Sequence, residues 1–153
     1  VRQSPILILD SSAMKNPGLT RETVTARLRS HGIQPTHQRI EIAHALFSRM
    51  AHLSADQVLA LVNQRHAETS KATVYNTLKL FVETGLVREV IVDPAKVFYD
   101  PNTDPHHHFF DVESGEITDI DASDISISGL PALPPGKVAA GIDLIIRVRA
   151  DAG

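Results

Sequence analysis

Thr20 is followed by Val24 and Leu28 at four-residue spacing, which predicts a capped helix running to about His31 and stopped by Gly32. Thr36 caps a second predicted helix, in which Ile40, Ala43, Phe47 and Met50 recur at helical spacing. In HLSADQVLALV, Ser54 with Gln57 three residues on has the form of a capping box. It opens a third helix to about His66, with Val58, Leu59 and Val62 inward. In SKATVYNTLKLFVETG, Ser70 is the N-cap and Gly85 the stop of a fourth helix over 71–84, whose Val74, Thr77, Leu78 and Phe81 share one side. VREVIV and KVFYD then alternate across the turn Asp93-Pro94-Ala95, the pattern of a β-hairpin. Short helices followed by a hairpin are the order of a winged helix-turn-helix.

Beyond Pro101 the period changes to two. Strands are predicted over 106–112, 116–120 and the segment IDLIIRVRA, forming a small sheet, while SISGLPALPPGK between them resists a helical reading. The expected organisation is therefore α+β. Residues 1–19 are expected to form a flexible N-terminal tail, 20–100 a winged-helix domain, and 101–153 a small α/β domain. Ile6 to Leu9 is too short an apolar run for a signal-peptide core or a membrane span, so the chain reads as cytoplasmic and without a membrane partner.

Charge divides the chain at the same place. Residues 1–92 hold eleven Lys/Arg against seven Asp/Glu, +4, whereas residues 93–153 hold four against eleven, −7. A basic first half suits a polyanion, and an acidic second half attracts cations. The outward arc of the fourth helix, Lys71, Tyr75, Asn76 and Lys79, offers cations for phosphates and groups for base edges. Arg39, Thr73 and Lys96 of the hairpin extend this candidate DNA surface. The plainer account of such an arc is the wet side of an amphipathic helix; the basic half and the following hairpin weigh against it.

There is no cysteine, so any metal must be held by nitrogen and oxygen. In HHHFFDVESGEITDI the alternation of a strand points His106 and His108 together and His107 away. Two imidazoles at i, i+2 make half a metal site. His31, His37, His44 and His66 are read as structural hydrogen-bonders.

The stretches GIQPTHQRIEIAHAL, HLSADQVLALV, SKATVYNTLKLFVETGLV and the histidine strand with ESGEITDI, in that order, resemble the ferric uptake regulator family of metal-dependent repressors. The resemblance implies a homodimeric transcriptional regulator of iron and haem homeostasis genes on AT-rich double-stranded operators, with no enzymatic activity, in which residues 20–100 bind DNA and residues 101–153 form the dimerisation and metal/haem-sensing domain. It also implies a regulatory site at His52, Asp100, His106, His108 and Asp119. Three imidazoles and two carboxylates suit manganese or iron(II), with zinc possible in vitro, and the absence of sulfur from the set argues against copper(I). The family's CxxC positions fall here on Asp111 and Ser114, which excludes a structural zinc site made of four cysteines. The missing cysteines, the histidine run and the Pro-rich connector look like the haem-responsive iron response regulator branch. On that reading His107, with His106 and His108, is a candidate haem ligand set. A metallohydrolase built on the His/Asp cluster, and a metal-buffering or haem-binding protein, are the alternatives from other classes; no H-E-x-x-H sequence or nucleophile elbow supports the first.

Overall fold

A computed structural model describes residues 18–49, 51–65 and 68–153, so the tail expectation for residues 1–17 and the placements of Met50 and His66 lie outside the described residues. The chain divides into two compact units, one reaching Thr103 and one beginning at Asp104.

The first unit contains α1 (Arg21–Ser30), α2 (His37–Arg49), α3 (Ala55–Asn63) and α4 (Lys71–Glu83), followed by β1 (Arg88–Asp93) and β2 (Lys96–Asp100). Each helix starts where a hydroxyl can satisfy orphan N–H groups. Thr20 and Ser54 both form reciprocal capping boxes, with Thr23 and Gln57. Ser70 accepts from the Thr73 N–H at 3.1 Å, and Gly85, at φ 76°, ends α4 in a left-handed conformation that other residues adopt only with strain. The core is one apolar cluster built from Val24, Leu28, Ile42, Leu46, Val58, Val74, Leu78 and Phe81, joined by Tyr99 from β2. Leu19, expected in the tail, packs against this cluster.

In α2 the inward stripe differs from the expected one. Ile42, Ala43, Leu46 and Phe47 are buried, while Ile40 is only half-buried. A helix buried on a broad face presents two adjacent ridges, and the expected set followed only one of them. Glu41, nearly buried, is held there by a bidentate pair with Arg21, Nε to Oε2 at 2.9 Å and Nη2 to Oε1 at 2.8 Å. Burial without such a partner would carry a heavy desolvation cost.

β1 and β2 form an antiparallel hairpin with an irregularity between Ile91 and Asp93. A single bridge adds Leu53 to its edge. Tyr99 N–H donates to Leu53 O at 2.8 Å, and Leu53 N–H to Tyr99 O at 3.3 Å.

The second unit is a three-stranded sheet in the order β4–β3–β5: β4 is Ile117–Asp121, β3 is His106–Asp111 and β5 is Ile145–Val148. β3 and β4 are antiparallel and β3 and β5 parallel. Among the described residues this unit holds one 3-10 turn, Ala122–Asp124, and no α-helix, so the expected small α/β domain is a sheet with long irregular connections. No helix among the described residues is long and apolar enough to cross a membrane.

Candidate metal centre and nucleic-acid interface

In the first unit the Leu53–Tyr99 bridge places the residue before Leu53 beside the residue after Tyr99. As a result His52 Nε2 lies 2.9 Å from Asp100 Oδ2. Asp100 is 3% exposed, and its other oxygen accepts the Asn102 N–H at 2.9 Å, which leaves Oδ2 directed at the imidazole.

In the second unit, β3 alternates as the sequence requires, with His106 and His108 buried and His107 half-buried. The antiparallel register sets His108 opposite Asp119. The two buried rings meet edge to face with centroids 4.5 Å apart. Their Nε2 atoms stand 3.6 Å and 3.5 Å from the same oxygen, Asp119 Oδ1. These contacts are too long for hydrogen bonds. They match the spacing of ligands around a shared centre, since atoms each ~2.1 Å from one ion sit roughly 3.0–3.5 Å apart.

His106 Nδ1 lies 2.6 Å from the carbonyl of Asp104, which can only accept, so Nδ1 donates there and Nε2 is turned toward Asp119. That orienting carbonyl could not be read from the sequence, because a backbone oxygen has no residue signature. The donor set is nitrogen and oxygen throughout, which fits manganese, iron(II) or zinc. His107 is turned the other way, and its Nδ1 accepts the Leu144 N–H at 3.1 Å, a role in tying β5 to β3.

The positions where the family pattern has cysteines form a tight turn. Asp111 Oδ1 accepts the N–H groups of Glu113 at 2.8 Å and Ser114 at 3.1 Å, and Ser114 Oγ accepts that of Glu116 at 3.2 Å. Gly115, at φ 78°, completes it. Hydrogen bonds close the hairpin without thiolates.

On α4, Lys71, Tyr75, Asn76 and Lys79 are all exposed, opposite the buried Val74, Leu78 and Phe81. The Tyr75 hydroxyl donates to Asp56 Oδ1 of α3 at 3.3 Å, and Lys71 Nζ lies 3.6 Å from the same oxygen and 5.5 Å from the Tyr75 ring centre. Asp56 comes from another helix, and no spacing within α4 announces it. Lys79 Nζ lies 3.9 Å from Glu83. The Thr73 hydroxyl is engaged with Ser70 at 2.9 Å at the helix cap. Arg39 donates from Nη1 to Gln34 O at 3.0 Å, holding the turn before α2, and Lys96 is exposed at the start of β2.

The profile of the ferric uptake regulator family matches residues 30–129. The peroxide-responsive repressor of Staphylococcus epidermidis is 33% identical over 98 residues, 64% of this chain and 65% of that protein. The chain thus spans just under two thirds of that relative. Among solved structures, the ferric uptake regulator of Pseudomonas aeruginosa with manganese aligns at a TM-score of 0.64 and 23% identity, covering 82% of this chain and 96% of its own. That from Francisella tularensis with iron aligns at 0.63 and 22%, covering 79% and 94%. At these identities the structural matches establish the fold, helices followed by a small sheet domain. The comparisons point to the family as a whole and not to its haem-responsive branch, so that narrower expectation is set aside. On the family profile, the chain belongs to the ferric uptake regulator family.

Proposed function

We propose that this chain is a cytoplasmic, homodimeric transcriptional regulator that is not an enzyme, and whose binding to AT-rich operator DNA is controlled by one manganese or iron(II) ion per chain. The observation that carries the reading is the aim of His106 and His108 Nε2 at a single oxygen of Asp119, with the His106 tautomer set by Asp104. His52 and Asp100, paired with each other, would complete the set of ligands. A bound ion would supply positive charge to the carboxylates and imidazoles that hold it, and binding would favour the DNA-competent form over others. The residues do the rest: β3 presents two imidazoles, Asp119 and Asp100 supply carboxylate oxygens, and Lys71, Tyr75, Asn76 and Lys79 meet DNA.

Dimerisation has its own support in the sheet unit, which buries few apolar side chains and exposes Leu130, Leu133 and Val138. Metal is preferred to haem as the effector because His107 already serves β5 through Leu144, while His106 and His108 face Asp119. The test is a gel shift on AT-rich DNA with and without manganese. Metal-dependent retardation is expected, abolished in His108→Ala. Retardation that ignores both metal and the substitution would sink the reading.

A further inference from the structure

A half-open cleft of about 400 Å³ lies on the helical unit, between the start of α1, one face of α2 and the end of α3. No residue of α4 lines it, so it is separate from the face proposed for DNA. Its wall holds three arginines, Arg21, Arg49 and Arg65, against one carboxylate, Glu41. Glu41 is already matched by Arg21 through the bidentate pair. Among the described residues, the wall carries no carboxylate beyond Glu41 that could neutralise Arg49 or Arg65. His44 also lines the space, and burial, followed by the charge of Arg21, pushes its pKa below the ordinary 6.5. It therefore stands neutral at pH 7 and adds hydrogen-bonding capacity without charge. Formal charge in the wall is three minus one, +2.

Leu61 and Val62 give the same cavity an apolar side. Its volume corresponds to roughly a dozen waters, so a bare inorganic anion would leave most of it empty. It falls within the size range of small-molecule sites, which pair an apolar wall with a few fixed polar groups. Two guanidinium groups with planar forks suit phosphate oxygens better than a single point charge.

We propose that this cavity binds a small phosphomonoester carrying an apolar group, with Arg49 and Arg65 holding the dianion and the Leu61–Val62 side taking the apolar part. Binding there would brace α1, α2 and α3 against one another and raise the stability of the helical unit by mass action. The proposal does not depend on the metal reading.

The probe is phenyl phosphate, titrated calorimetrically into the full chain, with inorganic phosphate and phenol as partial probes. One phenyl phosphate per chain is expected, held more tightly than either partial probe. Arg65→Ala, in the exposed turn after α3, should weaken it at least tenfold, as should Arg49→Ala, and a Lys71→Ala/Lys79→Ala variant should leave it unchanged. A phosphate of the DNA backbone is the other source of the same chemistry. Operator affinity measured without probe distinguishes them and should be unaltered in Arg65→Ala. Absence of binding at millimolar probe, binding that survives both arginine substitutions, loss in the lysine variant, or a fall in Arg65→Ala operator affinity would each overturn the proposal.

Discussion

From Val24 to Tyr99 the helical unit encloses one continuous apolar cluster, in which Leu28, Ile42, Leu46, Val74, Leu78 and Phe81 have no solvent exposure beyond a trace. The sheet unit buries Phe110 and Ile120 and, beside them, the polar His106 and His108, while Phe109, Leu130, Leu133, Val138 and Ile142 remain open to solvent. The helical unit has the interior of a self-sufficient domain. In the sheet unit two of the three buried positions of the central strand carry imidazoles, His106 and His108 beside Phe110, and several large apolar side chains stay exposed. Substitutions should separate the closed apolar interior of the first unit from the exposed apolar side chains of the second.

The largest effect is expected at Phe81, which is fully buried. Phe81→Ala should destabilise the helical unit by about 3–5 kcal/mol through lost transfer energy and a cavity. Phe109→Ala, at a side chain 38% exposed, should cost well under that. Denaturant titrations of the two variants check the contrast, and equal losses would break it. Next comes the apolar surface of the sheet unit. Leu130→Glu, at 63% exposure, should leave unfolding of the helical unit unchanged and weaken self-association by about 2 kcal/mol, read by sedimentation.

A smaller effect separates the three histidines of β3. His106→Ala and His108→Ala should each reduce manganese affinity tenfold or more, about 1.4 kcal/mol, because each removes a nitrogen aimed at Asp119. His107→Ala should leave metal affinity unchanged and weaken the β3–β5 junction, since it removes the acceptor of the Leu144 N–H. Hydrogen exchange at Leu144 reports that loss. Equal losses of metal affinity in all three would mean that alternation does not sort them.

How far the residues announced this arrangement differs between the units for physical reasons. The caps at Thr20, Ser54 and Ser70 and the phase of α4 follow from local hydrogen bonding and one strong apolar stripe, both visible in a few residues. The sorting of His106 and His108 from His107 follows from strand geometry. The stripe of α2 was only partly legible, because Ile40, Ala43 and Phe47 satisfy helical spacing as well as Ile42 and Leu46 do. Non-local contacts left no trace at all: Asp56 reaching Tyr75, the Asp104 carbonyl behind His106, and β5 lying parallel to β3. Alternation in IDLIIRVRA predicted a strand, but its direction and partner depend on a connection with no regular structure.

The helical unit also carries a pH dependence of its own. Burial, and then the Arg21 charge, lowers the His44 pKa in the folded state. The unfolded chain therefore takes up the proton first, so stability is fully present above pH 6.5 and declines as pH falls through the lower folded value. Solvent screening at this partly open position keeps the effect small. His44→Gln should flatten that part of the stability–pH curve in metal-free protein, and an unchanged slope would remove His44 from the account.

The smallest stability effect, and the sharpest division of it from function, is expected on α4. Lys79 is exposed and pairs with Glu83 at 3.9 Å one turn on, an arrangement worth a few tenths of a kcal/mol at most. Lys79→Ala should therefore melt like the parent. If the ammonium neutralises a phosphate, the same change should weaken binding to all sequences alike and lower the slope of log affinity against log salt by about one. Tyr75→Ala should act differently, costing about 1–3 kcal/mol in discrimination between operator and unrelated DNA if the ring meets a base edge. Its hydroxyl is directed by Asp56, so Tyr75→Phe should keep the ring but loosen its placement and fall between the parent and Tyr75→Ala. Parental affinity, salt slope and discrimination in both Lys79→Ala and Tyr75→Ala would show that this face of α4 does not meet DNA, whatever the metal site does.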